Sequence, residues 1–171
     1  MRDHFMMMAD YNSWANRLVY EAASALSDDE FRENKGAFFG SLSGTLNHLL
    51  ATDRIWMRRF TGAGDAPNRL DAVLHEDFAA LAEARRAEDI RIIDWVSGLI
   101  EEDLRGTITY TPVSNPTPVS QKLSPALAHL FNHQTHHRGQ CHMILTALGK
   151  PSISLDLAFF QRTPEGRRHA G

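Results

Sequence analysis

The chain has 171 residues, a net charge of −3, 43% hydrophobic and 23% charged residues. That length supports a single domain over 1–171, able to bury about 70% of the surface its unfolded chain exposes. The near-balanced, dispersed charges exclude a basic nucleic-acid footprint, and no apolar run reaches membrane-spanning length, so neither nucleic acid nor membrane is an expected partner.

The opening MRDHFMMMAD lacks the apolar core of a secretion signal, and the lone Cys141 excludes an internal disulfide. A soluble cytoplasmic protein is the expectation. From Asp3 to about Leu26, the residues Phe5, Met8, Tyr11, Ala15, Leu18, Val19 and Ala22 recur at helical spacing, with Trp14 placed to pack on a neighbour. The Met6-Met7-Met8 run reads as adaptable core filler rather than soft metal ligands. Ser27 and Glu30 have capping-box spacing for a short helix.

Asn34 to Ser43 reads as a loop carrying Phe38 and Phe39. A second long helix runs from Ser41 or Ser43 to about Thr61, stopped by Gly62 and Gly64. On its wheel His48 shares a side with Thr45, Leu49, Thr52, Ile55 and Trp56, so it points inward. Asp53 lies among Leu46, Leu50 and Met57, where a carboxylate needs a partner such as an arginine or a ligand histidine. A third helix is expected over about Leu70 to Leu104, with a bend or break near Ala87 and the polar stretch EARRAED as a solvated face. Thr107 to Thr111 alternates at period two and pairs with Val119 to Leu123 as a small hairpin across a Pro/Asn/Ser turn.

Ser124-Pro125 opens the last long helix and Gly149 with Pro151 closes it, giving about seven turns. With His133 at zero on its wheel, His137 lies about 40° away and Leu130 and Leu148 about 60°. Both histidines therefore fall inside the apolar stripe, with His129 and His136 at its edge and His142 on the far side. Ile153 to Gln161 is expected as a closing helix, and about 162–171 as a frayed polar tail.

Two imidazoles one turn apart on an inward stripe can grip one metal ion; the alternative is two core histidines bonded to backbone carbonyls. A two-histidine grip needs a third ligand, and His48 is the inward candidate from another helix. Three neutral imidazoles around Zn²⁺, Ni²⁺ or Fe²⁺ leave the metal its full charge and an open position. Such an ion brings bound water to a pKa of about 7 or holds a thiol deprotonated. The helical zinc-protease pattern, the Glu-x-x-His pairs of di-iron bundles, phosphate loops and a nucleophile elbow do not occur. Cys141, one turn past His137, reads as an inert buried thiol, with a fourth ligand or a redox group as the sharper alternative.

Tyr11-Asn12-x-Trp14-Ala15-Asn16, Asn47-His48 with Trp56, and Asn132-His133-x-x-x-His137-Arg138-Gly139-Gln140 resemble the DinB-like (YfiT-like) four-helix-bundle metalloproteins. The resemblance implies an all-α, up-down-down-up four-helix bundle with a small β-hairpin before the last long helix. It further implies one divalent metal ion on His48, His133 and His137, a homodimer, and a small-molecule substrate. Members with known activity are thiol-dependent transferases or isomerases, which makes a low-molecular-weight thiol a second expected cofactor. A thiol S-transferase or hydrolase acting on a small electrophile is the expected function, with a non-catalytic metal-binding stress-response module as its alternative. Asp53, His136 and Arg138 are the candidates for orienting a ligand or moving a proton.

Overall fold

The computed structural model describes residues 1–113 and 115–171. The chain runs α1 (Arg2–Ala23), α2 (Asp28–Arg32), α3 (Leu42–Thr61), α4 (Phe78–Gly98), α5 (Glu101–Arg105), β1 (Thr107–Tyr110), β2 (Val119–Lys122), α6 (Leu123–Ala147) and α7 (Leu157–Phe160). Side-chain pairings fix the directions of the four long helices. Phe5 stacks on Phe131 and Arg138 donates to Asn12 and Asn16, so α1 and α6 run parallel. Arg2 reaches the Leu99 carbonyl and Asn16 donates to Asp89, so α1 and α4 are antiparallel. His48 meets His137 and Trp56 meets His129, making α3 antiparallel to α6. Arg85 pairs with Asp53 and Trp95 stacks on Phe60, so α3 and α4 are parallel. The result is an up-down-down-up bundle.

The caps explain most boundaries. Ser41 accepts from the Gly44 amide at 3.1 Å, and Gly62 closes α3 in the left-handed conformation at φ 72°. Ser27 and Glu30 form the expected capping box on α2. In contrast, α6 does not begin on Ser124. The Leu123 amide donates to the Gly106 carbonyl at 3.0 Å, so the helix leaves β2 directly with no side-chain cap. The antiparallel hairpin aligns Thr107 with Lys122 and Tyr110 with Val119; in its connecting turn, Ser114 lies outside the described residues.

Three expectations fail at the third helix. It starts at Phe78, capped by Asp77, because residues 62–77 cross over the bundle instead of extending the helix. It passes through Ala87 unbroken and stops at Leu99, where Asp103 takes the Ile100 amide and starts α5. Its polar middle is not a solvated face: Arg85, Glu88 and Asp89 are buried. Elsewhere α1 ends at Ala23, short of Leu26, and the closing helix spans only Leu157–Phe160. The tail folds back on α1, with Arg168 and His169 both on Asp10, where fraying was expected.

Two apolar clusters fill the bundle's ends, one around Phe5, Trp56, Ile92, Leu127 and Phe131, the other around Val19, Leu42, Leu50, Leu81 and Ile144. Between them lies a polar layer to which every long helix contributes. Arg85 spans Asp53 at 2.7 Å and Asp89 at 2.9 Å, and Gln134 donates to both Asp53 and the Leu49 carbonyl. Arg138 completes the layer, so two buried cations face two buried carboxylates. Burial pushes the Asp53 carboxyl up to about 6, with Arg85 pulling against it. Removing one member strands the opposite charge in a low-dielectric interior.

Asp53→Ala should therefore lower the unfolding free energy by about 3–5 kcal/mol in urea titrations, and a loss under about 1 kcal/mol would contradict this picture. Ser41→Ala should cost about 1 kcal/mol, whereas Ser124→Ala should stay within about 0.5 kcal/mol of wild type.

Candidate metal centre

The antiparallel crossing of α3 and α6 sets His48 opposite His133 and His137. His48 Nε2 lies 3.2 Å from Nε2 of each, and the three nitrogens lie within 4.8 Å of one another. His48 and His137 are buried and His133 is half-buried.

The other ring nitrogens decide what faces the centre. His48 Nδ1 sits 2.6 Å from the Leu70 carbonyl oxygen, which can only accept, so Nδ1 carries the proton. His137 Nδ1 likewise faces Gln140 Oε1 at 2.7 Å, one turn along the same helix. Both neutral rings then present a bare Nε2 lone pair toward the same point. Burial, opposed by the Leu70 bond, pulls the His48 pKa down to about 4. Burial and then the neighbouring His137 and His48 pull His133 down to about 3, and His137 is lowered mainly by burial. Protonation cannot readily relieve the lone-pair repulsion. A cation can. Nitrogens at about 2.1 Å from one ion and 3.2 Å apart subtend about 100°, between tetrahedral and octahedral values, so the three residues fit a divalent metal with coordination positions to spare.

Local structure holds these rings. Phe39 stacks on His48 at 3.7 Å between ring centres. That contact depends on Gly44, since a Cβ there would lie 2.2 Å from the Phe39 carbonyl oxygen. Leu70 belongs to the 62–77 crossing, which Asn47 pins by accepting from the amides of Leu74 and His75.

The remaining candidates separate. His136 is exposed at the rim, its ring 4.7 Å from that of His137. Asp53 bonds Arg85 and Gln134 rather than a histidine of the centre. Arg138 faces α1, where it is held by Asn12, Asn16 and Thr135 and lies over the Tyr11 ring. It borders a cleft of about 640 Å³ lined also by Tyr11, His142 and Leu155, and by none of the three histidines. Cys141 sits in an apolar cluster with its thiol pushed up to about 12 by burial, as an inert core residue.

Leu70, Phe39 and Gln140 were not assigned roles from sequence. Gln140 alone left a signal, as a polar residue three positions past a candidate ligand. The Leu70 carbonyl and the Phe39 ring depend on tertiary closure of loops without periodicity.

The DinB family model matches residues 1–168. Protein DinB of Bacillus subtilis is 25% identical over 170 residues, covering 94% of this chain and 95% of that protein. The crystal structure of a DinB-like protein from Bacillus cereus superposes with a TM-score of 0.64 at 16% identity, covering 82% of this chain and 89% of that one, a likeness of fold. No helix among the described residues is long and apolar enough to cross a membrane. Sequence over nearly the full length and bundle topology agree: the chain belongs to the DinB family.

Proposed function

We propose that the protein is a metal-dependent enzyme, a thiol S-transferase or hydrolase type, with one Zn²⁺ or Ni²⁺ held by His48, His133 and His137. The observation that carries this reading is the pair of Nε2 lone pairs fixed 3.2 Å apart by Nδ1 bonds to Leu70 and Gln140. When bound, the ion supplies a nucleophile at neutral pH, either water with a pKa near about 7 or a thiol kept as thiolate. The chain's own residues orient and shield. Leu70 and Gln140 fix ring tautomers, and Phe39 covers the face of His48 against water. Asp53 is committed to Arg85, which takes it out of proton transfer, whereas His136 stands exposed beside His137 as an acceptor for the nucleophile's proton. A small electrophile is the substrate class this arrangement suits, with pairing of two chains as the family resemblance implies.

Purified protein should carry about one equivalent of divalent metal per chain by elemental analysis, and His133→Ala should bind it at least about 100-fold more weakly. Equal affinity in that variant would remove the site. Gln140→Leu, which frees the His137 ring without touching a ligand, should weaken metal binding by about 10–100-fold.

The pH response has a definite sign. The folded-state pKa values of His48 and His133 lie below their unfolded value, so the unfolded chain takes up protons that the apo native state refuses. Apo-protein stability should fall as pH drops below about 6.5 toward about 4, while metal affinity stays nearly flat from about pH 8 to 5. Affinity falling steeply from about pH 6.5 would show exposed, ordinary histidines instead. Turnover of an electrophile that rises only with added low-molecular-weight thiol supports the transferase; an equal rate without thiol supports the hydrolase.

A further inference from the structure

The row of rings that begins with the three histidines continues two turns along α3. There Trp56 meets His129 with ring centres 5.1 Å apart, and His129 in turn lies 5.8 Å from His133. Over this stretch sits Arg59, its guanidinium carbon 4.5 Å from the centre of the Trp56 ring and 4.4 Å from that of Tyr110 on β1. The two rings cover the cation but offer its N–H groups no ring acceptor, and the Tyr110 hydroxyl already accepts from Gln121. Among the described residues Arg59 has neither a hydrogen-bond acceptor nor a carboxylate within ion-pair reach, and burial lowers its pKa with only Tyr110 opposing. Three nearby arginines are committed, Arg54 to Glu88, Arg85 to Asp53 and Asp89, and Arg91 to Glu88 and the Ala63 carbonyl, while Arg58 points to solvent.

A half-buried guanidinium without an anion is costly for a purely structural brace. An apolar side chain would pin Tyr110 to α3 without desolvating a charge. Its N–H fork is also reachable, unlike the sealed, unpartnered Nε atoms of Arg85 and Arg138. We propose that Arg59 is the anion-recognition residue of the centre, so that the molecule bound there carries a carboxylate some distance from the atom at the histidines. One fixed cation matches a monoanion better than a phosphate dianion, which calls for a second cation. The ligand then lies between His133 and Arg59, alongside Trp56 and His129.

This inference rests on the metal-centre reading, and the test separates the two. Co²⁺-loaded protein is titrated with a length series of ω-mercaptocarboxylates and the matched ω-mercaptoalcohols, reading the visible cobalt spectrum. At the chain length that reaches from the metal to Arg59, the acid should bind about 10- to 100-fold tighter than the alcohol, as a charge-assisted hydrogen-bonded pair provides. Arg59→Gln should erase the difference by weakening the acids alone, and Arg59→Lys should restore part of it, since an ammonium keeps the charge but not the fork. If Arg59→Gln fails to fold, the Lys variant decides, because a brace predicts no acid-specific loss. Equal binding of acids and alcohols to wild type, or a preference that survives in Arg59→Gln, overturns the inference and leaves the metal centre standing. If no thiol of either series perturbs the cobalt spectrum, the thiolate reading falls and this inference with it.

Discussion

Two imidazole lone pairs held 3.2 Å apart repel, and the rest of the molecule is arranged so that they cannot turn away. The Leu70 carbonyl and Gln140 take the Nδ1 protons, and Phe39 stacks on the His48 face. The register of α3 against α6 is fixed next to the centre by Gln134, which donates to both the Leu49 carbonyl and Asp53. Shifting the sequence of either helix by one residue would turn a histidine away from the others by about 100°. The arrangement fits a cation better than it serves the bundle's own stability.

The buried polar layer makes the same point from the other side. Arg85, Arg138, Asp53 and Asp89 are sealed in the middle of the bundle, where apolar residues of like volume would serve stability at least as well. What ion pairs and amide bonds supply is one register: Asp53 with Arg85 aligns α3 with α4, Asn16 with Asp89 aligns α1 with α4, and Arg138 with Asn12 aligns α6 with α1. With all four helices indexed, the histidines are positioned by groups that never touch them. This also explains why Asp53 and Arg138 read as site residues in the sequence. They are polar, inward and near the ligands, but they act through helix positions.

How much was legible follows from which signals are local. The helical periods around His48, His133 and His137, the caps at Ser41 and Ser27, and the alternating Thr107–Thr111 stretch depend on neighbours in the chain, and all appear in the fold. The stretch EARRAED misled because a charged heptad has the same composition whether it faces water or two buried partners; only the positions of Asp53 and Asn16 across the bundle decide. Ser124 misled because the hairpin's Gly106 carbonyl had already taken the place of a cap for α6. Leu70 and Phe39 lie in loops whose course is set by Asn47 and Gly44 on α3, contacts that no periodicity encodes.

Everything chemical here depends on three imidazoles sharing one ion through Nε2. X-ray absorption at the metal edge of the purified protein, with anomalous scattering to place the ion, reads that coordination directly. The account predicts three imidazole nitrogens at about 2.0–2.1 Å, with the remaining positions held by exchangeable solvent. A closed sphere containing a fourth protein ligand, or an ion bound away from His48, His133 and His137, would contradict it.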